Sequence, residues 1–171
     1  AAWAWQFKGP EATLTDAVCR RVLKVSADQL LWSYQRSMEA AVQTGMIGHN
    51  MNVANVIAGV FIATGQDVAC VHESSLAQLT MQAAPGGLHV GITLPSLVLG
   101  TVGGGTHLPR QKQLLELMGC AGSGAVDRFA EIIAGFSLAL DLSTLSAVAG
   151  GQFAAAHERM GRNRPMAPFT E

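Results

Sequence analysis

Apolar and polar positions along the chain follow two rhythms. Residues 2–20 read as two strands around a turn at Lys8-Gly9-Pro10, with alternation through Ala12, Leu14, Thr15, Ala17 and Cys19. Ser26 followed by Gln29 is a capping-box pattern and predicts a helix running to about Gln43. Past the break at Gly45, Gly48, His49 and Asn50, the span from Asn52 to Thr64 is apolar on nearly every side. It predicts a helix buried all round and closed by Gly65. Leu76 to Met81 and Leu88 to Leu94 read as a hairpin joined across residues 83–87. Arg110 to Met118 predicts a short helix. Asp127 predicts the cap of a long helix reaching about Met160, with a break near Asp141 to Ser143. The expected fold is α+β, a small sheet with helices packed around a buried central one. Residues 1–165 form one unit, and residues 166–171 a loose polar tail.

Composition sharpens this picture. The chain has 171 residues, 49% of them hydrophobic and 13% charged, against about 25% charged in an average soluble domain. A disordered chain is excluded. So little polar skin suggests a core shared with further chain or a partner subunit. The formal charge of −1 offers no bulk field for nucleic acid or an anionic membrane. Ile132 to Ala156 is the one stretch to test as a membrane span, and Asp141 and Gln152 within it favour a buried helix. Cys19, Cys70 and Cys120 show no metal-ligand spacing and are expected as reduced thiols in a cytoplasmic setting. Metal chemistry is not expected.

Four groups of residues carry candidate chemistry. Gly103, Gly104 and Gly105 run together, so something there needs bare backbone: a phosphate, a flat cofactor ring or a tight turn. A third fingerprint glycine is missing, because position 108 is Leu, so a Rossmann loop is excluded. Asp67, just past the apolar helix, is either the cap of the next helix or an acid in a dry pocket. His157 is either a surface histidine at a helix end or a general acid. Arg159, Arg162 and Arg164 either solubilise a tail or grip a phosphate-bearing ligand. Asn50, Asn52 and Asn55 flank the start of the apolar helix, and Asn55 needs a hydrogen-bond partner if buried.

The order of these motifs is more specific than any one of them. Gly48-His-Asn50, Ala54-Asn55, Gly65-Gln-Asp67, Leu94-Pro-Ser96, Gly100-Thr-Val-Gly-Gly-Gly-Thr106 and the late His157 together resemble hydroxymethylglutaryl-CoA reductase. The resemblance runs from Ala1 to Arg162 and corresponds to the C-terminal part of that family's large, substrate-binding domain. It implies reduction of the hydroxymethylglutaryl-CoA thioester to mevalonate and CoA with two hydrides from NADPH. NADH is an open alternative, because the discriminating residues belong to a domain outside this chain. It further implies that Asp67 is the catalytic aspartate, hydrogen-bonded to a catalytic lysine expected just before Ala1. His157 is implied to protonate the departing thiolate. Asn55 and Asn52 would contact substrate, Asn52 standing where the family commonly has histidine. Gly103 to Gly105, with Arg162, would meet the cofactor. Gln35 or Arg36 stands near an expected substrate-binding lysine, and the catalytic glutamate belongs far upstream. A homodimer or higher oligomer with an interfacial active site is implied, and the piece alone should be inactive. Two alternatives remain: a catalytically dead subunit kept for assembly or ligand binding, and a reductase for another acyl-CoA.

Overall fold

The structure is a computed structural model and describes residues 7–160. Three antiparallel strands, β1 (Phe7–Thr15), β2 (Gln78–Ala84) and β3 (Gly87–Leu94), pair in the order β1-β3-β2. The β2–β3 hairpin closes at Ala84↔Gly87 through Pro85 and Gly86, and Gly86 supplies the positive φ of 73°. Register runs Met81↔Val90 on one side of β3 and Ala12↔Val90 on the other, which makes β3 the central strand.

The expected turn at Lys8-Gly9-Pro10 is instead part of β1. The register slips between Lys8 and Glu11, so the interruption is a bulge. Pro10 is tolerated because β1 is an edge strand of the sheet. Gly9 is required by packing, since a Cβ there would lie 2.7 Å from the Ile92 carbonyl oxygen. Ala17 and Cys19, expected in a strand, are helical. Thr15 Oγ1 accepts from the Val18 N–H at 3.2 Å and starts α1 (Asp16–Val18), which continues as a π-helical turn over Cys19–Leu23.

Helix α2 (Ala27–Gln43) begins where the pattern predicts. Ser26 Oγ accepts from Gln29 N, and Gln29 Oε1 accepts from Ser26 N. Helix α3 (Val53–Thr64) ends in the left-handed Gly65, also as expected. Its burial is a correction: Val53, Ile57, Phe61 and Thr64 form a buried stripe, whereas Asn55, Gly59 and Ile62 lie on an exposed face. An all-apolar helix can have one face toward its own core and another left for something else to cover.

A short α4 (Val71–Ser74) precedes β2, and α5 (Pro109–Leu117) follows the glycine cluster. Strand β2 starts at Gln78, so Leu76 and Ala77 precede it. Helix α6 (Val126–Ala149) is continuous through Asp141 to Ser143, and its N-cap position is Ala125, with Asp127 in the first turn. The chain breaks at Gly150 and Gly151, the latter at φ 67°, before α7 (Phe153–Met160). Helix α6 is long and apolar enough to cross a membrane by length and composition. Here it packs against β1, β3, α2 and α3, with Phe129, Ile133 and Leu145 fully buried. Leu30, Ile57, Phe61, Leu79 and Leu94 complete the same α+β core.

Candidate functional site

Two segments far apart in sequence meet just beyond α3. Gly65 turns the chain with φ 70°, and its backbone rests directly on that of Gly105. A Cβ built on Gly105 would lie 2.8 Å from Gly65 O and 3.0 Å from Gly65 Cα. One residue later, the Gln66 carboxamide pairs with both main-chain groups of Gly100. Its Nε2 donates to Gly100 O at 2.9 Å, and its Oε1 accepts from Gly100 N at 2.8 Å. Asp67 then caps the turn over Val68–Cys70, its Oδ1 accepting from Ala69 N at 3.0 Å. Among the described residues Asp67 is thus an exposed capping residue.

The glycine run has two distinct parts. Gly103 (φ 83°) and Gly104 (φ 54°) adopt left-handed backbone with open space where side chains would stand. Gly105 is the residue pressed against Gly65. Thr106 is buried, and its hydroxyl donates to Gly103 O at 2.6 Å, folding the run into a single turn over Gly104–His107. The loop therefore offers uncovered main chain at 103–104 and is fastened at 100 and 105. Left-handed glycines with nothing beside them fit the close approach of a flat ring or phosphate.

The asparagines gather at the other end of α3. Asn50 Nδ2 donates to Ser75 O and Ala77 O at 3.3 and 3.2 Å, and its Oδ1 accepts from Val53 N. Asn52 Nδ2 donates to Thr144 Oγ1, and Asn52 Oδ1 accepts from Asn55 Nδ2 at 2.8 Å. Asn55 is exposed, so burial does not explain this bond. Asp141, fully buried on α6, accepts from Met51 N at 3.0 Å and Asn52 N at 2.7 Å, fastening the entry to α3. Burial pushes its carboxyl pKa up, and these two N–H donors oppose that. Sequence reasoning assigned Asp141 a helix break. The available signal was a lone carboxylate in an otherwise apolar helix, which must find donors.

The twelve residues of α3 separate Asn52 from the Gly65 turn by about 18 Å of helix, with Asn55 within its first turn. The structure thus joins Gly65 and Gln66, which precede Asp67, to the 100–105 segment, and joins Asn52 to Asn55 near the other end of α3. His157 is exposed on α7, its Nδ1 2.9 Å from Phe153 O and its ring 4.4 Å from that of Phe153. A carbonyl only accepts, so Nδ1 carries hydrogen and Nε2 is left to exchange a proton. Arg162 lies outside the described residues. Arg36 pairs with Glu39 at 2.7 Å and lies over the Trp32 ring. Exposed Ile62, Val68 and Val102 flank the Gly65–Gly105 junction in sequence, so apolar surface adjoins the candidate site.

These features define a protein in which a Gly-Gln-Asp turn is fastened to a glycine run whose bare main chain lies on an open surface. The chain belongs to the hydroxymethylglutaryl-coenzyme A reductase family, whose sequence model matches residues 3–162. It is 43% identical over 158 residues to the 3-hydroxy-3-methylglutaryl-coenzyme A reductase of Aeropyrum pernix, covering 89% of this chain and 38% of that protein. It is 38% identical over 159 residues to the same-named protein of Pyrococcus horikoshii, with the same coverage. The 3-hydroxy-3-methylglutaryl coenzyme A reductase 1 of Cannabis sativa is 40% identical over 163 residues, which is 90% of this chain and 28% of that protein. The chain thus spans about 38% of the length of the archaeal relatives it matches.

Proposed function

We propose that this chain is the C-terminal part of the large domain of a reductase that converts (S)-3-hydroxy-3-methylglutaryl-CoA to mevalonate and CoA. The observation that carries this reading is the junction of Gly65-Gln66-Asp67 with Gly100–Gly105. It sets Asp67 one residue past a glutamine that is fastened to the start of the glycine run. Residues 1–165 are assigned to that domain; residues 166–171, read from the sequence as a tail, lie outside the described residues.

The open main chain of Gly103 and Gly104 would hold NADPH, and Arg162, outside the described residues, would pair with its phosphates; NADH is the alternative. When bound, a reduced nicotinamide supplies hydride. Asp67 would orient a lysine contributed by chain outside these residues, which would donate to the reacting thioester carbonyl. His157 keeps Nδ1–H on Phe153 O and delivers the proton from Nε2 to the leaving CoA sulfur. Asn55 would orient the acyl group from its exposed position, and the half-buried Asn52 would support it through their mutual hydrogen bond.

Asp67 and His157 stand on an open surface, and the outer face of α3 is uncovered. A second subunit would supply the missing walls, giving a homodimer or higher oligomer with the active site at the interface. Residues 1–171 alone would then be inactive. The protein would act in the cytoplasm, with no membrane contact from this segment. The test is NADPH oxidation dependent on hydroxymethylglutaryl-CoA, measured on the full-length gene product and on residues 1–171 separately. Turnover by the short chain would contradict the shared-site reading.

A further inference from the structure

Gln66 stands between the candidate carboxylate and the candidate cofactor loop, and its chemistry is peculiar to a carboxamide. One side-chain oxygen and one side-chain nitrogen satisfy both the N–H and the C=O of Gly100. A carboxylate of the same shape could accept from the N–H but would face the carbonyl with a second acceptor. An alanine would leave both groups of Gly100 without their partner. The main chain of Gln66 is itself fixed, its N–H donating to Phe61 O at 2.9 Å at the end of α3. Below this clamp, Gly65 and Gly105 touch backbone to backbone. Two fastenings, five residues apart on the glycine run, therefore bracket the free turn at Gly103 and Gly104. Each starts from a residue adjoining Asp67 or one removed from it.

We propose that Gln66 is a positioning residue, which sets the register of the 100–105 segment against Asp67 so that the cofactor-facing main chain and the carboxylate move as one body. This rests on the reductase reading. The Gln66 carboxamide is engaged with Gly100 and acts through it. Hydride and proton must reach the same carbonyl group, so an error in the spacing of their two sources lowers kcat even when each is intact.

The experiment compares Gln66→Glu, Gln66→Asn and Gln66→Ala in the full-length gene product. It reads kcat, the KM for NADPH, the KM for hydroxymethylglutaryl-CoA and the thermal midpoint, together with amide hydrogen exchange over residues 100–105. For Gln66→Glu we expect kcat to fall about tenfold or more and the NADPH KM to rise, with the acyl-CoA KM within about twofold of wild type. Relative to wild type, its kcat should recover below about pH 5, where the introduced carboxyl regains a proton to donate to Gly100 O. Exchange at 100–105 should accelerate in Gln66→Ala while β2 and β3 stay protected. Gln66→Asn, one methylene short, should be defective to a similar degree. If kcat falls only in proportion to lost folded protein, with both KM values and the exchange of 100–105 unchanged, the proposal is overturned. Wild-type protein without turnover would instead remove the reductase reading. Exchange at 100–105 would then still decide the clamp, with unchanged protection in Gln66→Ala overturning it.

Discussion

Gly105→Ala gives a test in which the sign of the effect is diagnostic. Gly105 does not need a left-handed backbone, so a Cβ there meets no intrinsic conformational penalty. Where space allows, such a substitution stabilises a protein by about 0.4–1 kcal/mol by restricting the unfolded chain. Here the added carbon would lie 2.8 Å from Gly65 O, 3.0 Å from Gly65 Cα and 3.2 Å from Gly65 C. All three are backbone atoms, so no flexible side chain can swing aside. One loop must retreat by roughly half an ångström or more to reach ordinary contact. Overpacking of this kind costs about 1–3 kcal/mol, which outweighs the unfolded-state gain. The net expectation is destabilisation centred near roughly 1.3 kcal/mol, within limits of about 0 and 2.6. At about 2–4 °C per kcal/mol for a chain of this size, the thermal midpoint falls by several degrees. Gly59→Ala is the control: it lies in α3 with nothing within 4 Å of its Cβ, and it should stabilise by up to about 1 kcal/mol. The assay is guanidinium unfolding of both variants followed by circular dichroism. A Gly105→Ala protein as stable as wild type, or more so, would refute the contact between the two motifs.

Further expectations follow from the same geometry. Asp67→Asn in the full-length protein should lower kcat by about 10²–10⁴-fold with little change in thermal midpoint, read by NADPH oxidation. Asp67 would be a capping residue alone if kcat held. His157→Gln should slow CoA release, detected as thiol appearance, more than it slows reduction of the corresponding hemithioacetal or aldehyde. Asp141 has its pKa raised above the unfolded value, so its contribution to stability is greatest below about pH 3.9 and is lost as pH rises through the folded pKa. The stability advantage of wild type over Asp141→Asn should therefore shrink from pH 4 towards 7, and an advantage that grows would contradict the burial argument. Asp16 has the opposite sign. The Ala27 N–H, then Arg20, hold its pKa down, so its contribution exists above the unfolded pKa and fades as pH falls through the folded one. Acid unfolding of Asp16→Asn should show that loss removed.

Much of this fold was legible because local chemistry and tertiary structure agree. The Ser26–Gln29 capping box, the Gly65 terminus of α3 and the Pro85-Gly86 hairpin each follow from residues within a few positions. The misreadings share one cause, a partner distant in sequence. Pro10 looks like a turn until β3 is seen to pair across it with a bulge. Asp141 looks like a helix breaker until the N–H groups of Met51 and Asn52 arrive on its carboxylate. The apolar α3 looks buried all round because periodicity does not say which face the chain's own core covers. At the site, motif order pointed to Asp67 and Gly103 to Gly105. Nothing in their spacing could show that Gly65 presses on Gly105, or that the Gln66 amide matches Gly100. Those contacts exist only once α3 and the 100–105 segment are folded together.

The most direct test is NADPH oxidation by the full-length gene product with hydroxymethylglutaryl-CoA as the only acceptor. Two NADPH should be consumed for each thioester, with mevalonate and free CoA as products, and both should be lost in Asp67→Asn. A folded, cofactor-binding protein with no turnover of this thioester would contradict the reductase reading.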